Sequence, residues 1–410
     1  MKKATKLLAL FLALALVMQM LPVSVIADQA AAVGDTAESP HADDVSSAAS
    51  AEERQDPVVL GEVTDRRGER EKHFRMNDGS FVAVDYGAPV HFTSDGGSTW
   101  ADIDNTLTPS RDDAGLYTAR NGESVRGFAS ELRDGRLMTV SDGAYSLRMY
   151  LAGSDDSAGT RAYNSASAAE ISYPDAKTRG NEELSFAEQI TPSKLRADVL
   201  YRNVCDGVDL QYELYSRDVK ETILINRTRD SYAFSFRLET DGLTPELTQD
   251  GSVELRNAGG ETVYLIPAPY MTDAAGAFSD AVSYALEKLA SGSWELTVTA
   301  DDTWINAESR ALPVSIDPTV ILYPYSGNNS ILTSYVNSDR PTTASYCNAY
   351  YLRSGYCTNT PYDPDCTGYT VGLIYFKTLP KVPDNCIVTD AQLGLKARHI
   401  CSITITTTGY

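Results

Sequence analysis

The sequence predicts an all-β protein of antiparallel, sandwich-like domains, and three features carry that prediction. Alternation with period two recurs along the chain. In residues 208–214, Val208, Leu210, Tyr212 and Leu214 share one face while Asp209, Gln211 and Glu213 share the other, as in a strand with one buried and one wet side. Asp-Gly pairs at Asp78-Gly79, Asp142-Gly143, Asp241-Gly242 and Asp250-Gly251 supply the positive φ that tight hairpins need. Tyrosine outnumbers phenylalanine 24 to 10, which suits half-wet strands because the ring is buried while the hydroxyl stays near water. No long stretch holds a helical period with caps at both ends.

The first element is a secretory signal. Lys2, Lys3 and Lys6 precede an unbroken apolar run over residues 7–17, and small residues up to Ala27 offer a cleavage site. The run is too short for a bilayer core of about 30 Å, so no stable membrane insertion is expected after cleavage. Residues 28–56 are Ala, Ser, Asp and Glu with no aromatic residue. Such a stretch buries too little to offset ordering and reads as a disordered spacer.

Residues 57–316 form a β-rich region. Residues 71–76 and 80–86 flank the Asp78-Gly79 turn, and residues 232–238 and 294–299 repeat the alternating pattern. The loop-rich sequence between 152 and 183 either divides this region into two sub-domains or forms a long insertion. A final domain, 317–410, begins where cysteine use rises. Its last residues, 403–410, read as a strand in progress, so the sequence is expected to be the amino-terminal piece of a longer protein.

Composition excludes several classes. Loss of residues 1–27 removes three lysines and no acid, taking the formal charge from −21 to −24. That surface repels nucleic acid and anionic membranes, so no nucleic-acid partner is expected. The four histidines, His41, His73, His91 and His399, are scattered, which leaves few residues for a zinc site or a Ser-His-Asp triad. No Gly-x-Ser-x-Gly, His-Glu-x-x-His or phosphate loop occurs. No catalytic residue and no cofactor is assigned, and an enzyme is not expected.

Four sets of candidate residues remain. Residues 93–100 match an Asp-box hairpin in which Asp95 accepts backbone N–H bonds, Gly97 takes positive φ and Trp100 packs beneath. Cys347, Cys357, Cys366, Cys386 and Cys401 crowd the tail. Their spacing is unlike zinc knuckles and an exported chain can oxidise them, so one or two disulfides are expected there. Tyr346, Tyr350, Tyr351, Tyr356 and Tyr369 are candidates for stacking on sugar rings, against the plainer reading as strand packing. Asp102 and Asp104 flank Ile103 and would share a strand face, as a polar strand edge, a glycosidase pair or a calcium site. Structural calcium thus stays open.

Residues 58–320 resemble the amino-terminal region of secreted RHS-repeat and wall-associated proteins of Gram-positive bacteria, through Val59-Leu-Gly-Glu-Val-Thr-Asp-Arg-Arg, Val208-Asp-Leu-Gln-Tyr-Glu, Val219-Lys-Glu-Thr-Ile and Leu312-Pro-Val-Ser-Ile-Asp-Pro-Thr. Residues 318–410 are similar to the start of a DNRLRE domain, a jelly-roll-like β-sandwich, through residues 349–355, 372–380 and 389–395. The resemblance implies a secreted or cell-wall-associated, non-catalytic surface scaffold, part of a larger surface or toxin-delivery protein. The alternatives are a carbohydrate-binding or adhesin module for a glycan or wall polymer and, third, a secreted glycosidase.

Overall fold

The computed structural model describes residues 58–155, 161–177, 180, 183–290 and 292–317, and, in the tail, 331–338, 355–357, 368–376 and isolated positions from 379 to 393. Residues 1–57, with the signal and spacer, lie outside the described residues. The fold is all-β and antiparallel throughout, as the alternation requires.

Two large sheets face each other. The larger runs in the order Val282–Ala290, Ser293–Ala300, Ala233–Asp241, Tyr145–Asp155, Arg136–Asp142, Ser124–Ala129, Leu116–Asn121, Thr108–Pro109, with Arg161–Ala162 paired beside Tyr145–Asp155. The other runs Ala169–Ser172, Arg196–Cys205, Val208–Tyr215, Asp218–Ile225, Val314–Asp317, Tyr270–Asp273, Phe278–Ser279. Their inward residues form one core: Phe128, Leu147, Phe234, Leu238 and Val298 from the first sheet, and Tyr201, Leu210, Tyr212, Ile223 and Ile316 from the second. Full burial of each aliphatic side chain there stabilises the fold by about 1.5–3 kcal/mol. Val208, Leu210, Tyr212 and Leu214 are buried, and Asp209, Gln211 and Glu213 are not.

Polar contacts also join the sheets. Tyr201 donates to the Ala129 carbonyl at 2.6 Å, and the Phe128 and Tyr212 rings meet at 5.6 Å between centroids. The core continues across the loop-rich stretch, since Leu151 belongs to it and Ala169, Ile171 and Tyr173 pack against it. A three-stranded sheet of Thr244–Leu247, Val253–Arg256 and Thr262–Ile266 closes one side with Val253, Leu255 and Tyr264.

A smaller unit precedes the sandwich. Strands β1 (Val59–Glu62), β2 (Glu71–Met76) and β3 (Phe81–Asp85) form a sheet around the Asp78-Gly79 turn, with Arg75 opposite Phe81. Strands β4 (His91–Phe92) and β5 (Ala101–Asp102) pair beside it. Val59, Phe74 and Met76 pack on Ile190 of the short helix Phe186–Ile190. Tyr86, Val90 and Ile103 pack on Leu195 and Tyr215. Ser185 starts that helix with a capping box to Glu188. Buried Asn105 donates to the Leu195 and Ser216 carbonyls at 2.7 and 2.8 Å, and Ser216 donates to the Pro89 carbonyl at 2.6 Å. These bonds fasten the amino-terminal unit to the sandwich.

In the tail, Ile331–Asn337, Gly368–Phe376 and Gly355–Cys357 form an antiparallel sheet in which Gly368–Phe376 is central. No helix among the described residues is long and apolar enough to cross a membrane.

Candidate functional site

A close group of ionisable side chains lies where β1, β2, β4 and β5 meet. Glu62 ends β1, Lys72 lies on β2, and His91 and Asp102 are direct cross-strand partners on β4 and β5. Arg67 comes from the turn between β1 and β2. Its Nε and Nη2 donate to Glu62 Oε1 and Oε2 at 2.7 and 2.8 Å, and Nη2 also reaches Asp102 Oδ2 at 2.8 Å. Lys72 Nζ donates to Asp102 Oδ1 and lies 3.3 Å from Glu62 Oε2. His91 is fully buried, with Nε2 at 3.4 Å from Asp102 Oδ1 and 3.6 Å from Glu62 Oε1. Its Nδ1 is 2.6 Å from the Gly68 carbonyl, which only accepts, so Nδ1 carries the proton.

The electrostatics follow from this arrangement. Burial pushes the Glu62 carboxyl up, but His91, Arg67 and Lys72 outweigh it and bring it down to about 2. Asp102 is held far below the usual carboxylate range by His91 against burial, with Lys72 and Arg67 adding to it. Burial opposes a charge on His91, yet the Asp102 and Glu62 carboxylates and the Gly68 carbonyl raise its pKa. Two carboxylates and two fixed cations cancel, with an imidazole at the centre. Such a group can clamp the two sheets or exchange a proton.

Sequence reading flagged Asp102 and His91 without joining them. It coupled Asp102 to Asp104, but the two carboxylates take different partners: Asp104 pairs with Lys194 at 2.6 Å. Glu62 and Arg67 lie in the stretch 59–67 that carries the family resemblance, but neither they nor Lys72 fall in a pattern that marks a site.

The Asp-box residues form a closed hairpin loop. Asp95 Oδ1 accepts from the Ser98 and Thr99 amides at 3.0 and 2.9 Å, and Thr99 Oγ1 donates to Oδ2 at 2.6 Å. These bonds, the Thr99 and Thr93 hydroxyls first, hold the Asp95 carboxyl at about 2. Gly97 has φ of 95°, and a Cβ there would sit 3.6 Å from the Trp100 ring.

In the tail, Tyr356 and Tyr369 are cross-strand partners and Tyr369 is exposed. Tyr346, Tyr350, Tyr351, Cys347, Cys366, Cys386 and Cys401 lie outside the described residues, and Cys357 ends a strand.

An open groove of about 580 Å³ runs over the solvent face of the larger sheet. Arg120, Arg136 and Arg148 line it together with Asp112, Asp113 and Glu123, so its formal charge cancels.

Comparison with known proteins brings in chemistry that the residues do not announce. The chain is 25% identical over 414 residues to the tRNA nuclease WapA of Bacillus subtilis strain 168, covering 96% of this chain and 16% of that protein. It is 25% identical over 353 residues to the tRNA3(Ser)-specific nuclease WapA of Bacillus spizizenii, covering 83% of this chain and 14% of that protein. A wall-associated protein of Geobacillus stearothermophilus is 25% identical over 216 residues, 52% of this chain and 75% of that protein. The chain thus spans about one-sixth of the length of the curated nucleases it matches. No family model matches it. No solved structure matches it either.

These relatives correct the functional expectation. A non-catalytic surface scaffold, and with it the expectation that no enzyme is involved, is overturned by similarity to proteins named as tRNA nucleases. Hydrolase motifs are absent from these residues, and the similarity, over 96% of this chain, spans only 16% of the nuclease. The similarity to a wall-associated protein agrees with the expected cell-surface location.

Proposed function

We propose that this chain works in an exported, wall-associated nuclease that acts on tRNA. The observation that carries the reading is similarity along 96% of the chain to a tRNA nuclease, joined to the export pattern of residues 1–27. The protein is secreted and wall-associated. The described domain brings to that location a close-packed sandwich, fastened to the charged amino-terminal unit through buried hydrogen bonds. The acidic balance of the chain, −21, disfavours general attraction of a polyanion, and the groove on the larger sheet balances its arginines with acids. Recognition of tRNA by these residues would therefore rest on local contacts rather than on a cationic face. The DNRLRE-like reading of residues 318–410, the RHS-repeat context and attachment to a wall polymer belong to the same proposal.

The test is to express the complete gene product, incubate it with total tRNA and separate the products on a denaturing gel. Cleavage of one or a few tRNAs at a defined position is the expected result. Intact tRNA across the whole pool overturns the reading, and recovery of the protein only from cytoplasm overturns its wall location.

A further inference from the structure

We propose that His91 makes the fastening of the amino-terminal unit to the sandwich depend on pH, closed while its imidazole is protonated and loosened when that proton leaves. The inference rests on the amino-terminal unit and stands apart from the nuclease reading.

Both ring nitrogens of His91 face acceptors. Nδ1 lies 2.6 Å from the Gly68 carbonyl, and Nε2 lies 3.4 Å from Asp102 Oδ1 and 3.6 Å from Glu62 Oε1. A neutral imidazole carries one N–H, so only the imidazolium presents a proton to the carbonyl and to the carboxylates at once. The ring is 0% exposed, and bulk solvent cannot replace a lost partner. Once neutral, the ring turns a bare lone pair towards two buried-side carboxylates, which costs free energy.

The surrounding charges are otherwise fixed. Arg67 from the turn between β1 and β2 and Lys72 on β2 donate to all four oxygens of Glu62 and Asp102, so those four charges cancel. From the sandwich, Arg217 donates to the His91 carbonyl at 3.4 Å and pairs with Glu69 at 3.1 Å. Tyr86, which feels the same two carboxylates, stays neutral and donates to the Ile190 carbonyl at 2.5 Å. Burial works against a charge on His91, the Asp102 and Glu62 carboxylates and the Gly68 carbonyl favour it, Lys72 opposes it, and the balance raises the folded-state pKa above the ordinary 6.5. The contribution is therefore whole below about pH 6.5 and is lost as pH rises through the folded value.

Position turns this proton into a fastening. His91 follows Val90 and Asp102 precedes Ile103, and Val90 and Ile103 are buried against Leu195 and Tyr215. The Ile103 amide donates to the Val90 carbonyl at 2.9 Å, so β4 and β5 dock as one piece. Loss of the His91 proton weakens the pairing of these strands where they meet the sandwich, and the unit loosens while the sandwich stays folded.

The experiment is hydrogen exchange read by mass spectrometry on the full chain, with rates corrected for intrinsic exchange. A Glu221→Gln background keeps the core acid out of the pH profile. Protection of residues 86–105 is expected to fall by up to about tenfold per pH unit above 6.5 and to level off at the folded His91 pKa. Val208–Tyr215 should keep its protection over the same range. His91→Gln should give a flat profile. Asp102→Asn removes the nearer carboxylate and should end the fall at a lower pH, and it decides should His91→Gln fail to fold by circular dichroism. Protection of 86–105 that ignores pH when His91 is present, the same fall in a folded ligand-pair variant, or equal loss in Val208–Tyr215 overturns the inference.

Discussion

Tyr212 donates its phenolic hydrogen to Glu221 Oε1 at 2.5 Å, and the two residues are direct cross-strand partners on the core face of the seven-stranded sheet. Both are almost wholly buried. Burial, with the nearby Asp317 carboxylate and against the Tyr212 hydrogen bond, pushes the Glu221 carboxyl up to about 8. At neutral pH Glu221 is therefore largely a neutral acid, and a tyrosine hydroxyl satisfies it where an ion pair would otherwise be needed.

Stability should consequently fall as pH rises. The folded-state pKa of Glu221 lies above its ordinary value of 4.5, so the folded chain binds the extra proton between about pH 4.5 and 8, and its contribution is lost across that window. The loss is on the order of several kcal/mol. Urea unfolding at intervals from pH 5 to 9 should show the decline in the wild type, and Glu221→Gln should flatten it. An unchanged slope in the variant would assign the pH dependence elsewhere.

Arg126 is 2% exposed and forms a bidentate pair with Asp142 at 3.0 and 3.1 Å, while Tyr264 donates to the same carboxylate at 3.0 Å. The guanidinium also donates to the Arg217 carbonyl at 2.9 Å. Arg126→Met removes one partner and leaves the others poorly satisfied, at an expected cost of about 3 kcal/mol or more in urea unfolding.

Gly135 has φ of 76°, and a Cβ placed there would come within 2.5 Å of the Leu151 carbonyl oxygen. That carbonyl is backbone and cannot swing away. Gly135→Ala should therefore lower stability by about 2 kcal/mol or more, read as a lower melting temperature with the secondary structure retained.

Asp95 acts locally. Asp95→Ala deprives the Ser98 and Thr99 amides of their acceptor, so their hydrogen exchange should quicken by about tenfold while global unfolding hardly moves. Because the Asp95 carboxyl is held at about 2, its contribution is present above the ordinary aspartate range and is lost as pH falls towards that value. Protection of these two amides in wild type should vanish in the same acid window.

Sequence alone determined the β class, the buried face of the strand at 208–214 and the hairpins at Asp78-Gly79, Asp142-Gly143 and Asp250-Gly251, whereas Asp241-Gly242 joins strands of two different sheets. Those depend on neighbours one to four residues apart, as with Val208, Leu210 and Tyr212 or the Asp78-Gly79 turn. The export pattern of residues 1–27 was legible for the same reason. Which polar groups meet was decided by the tertiary structure. Glu62, Arg67, Lys72, His91 and Asp102 lie up to 40 positions apart in five local contexts, and only strand pairing and the packing of Tyr86, Val90 and Ile103 on the sandwich bring them together. Glu221 likewise lies in plain alternation with Val219 and Ile223. Its neutral state arises because the opposing sheet removes water from that face, a long-range effect that no local pattern encodes.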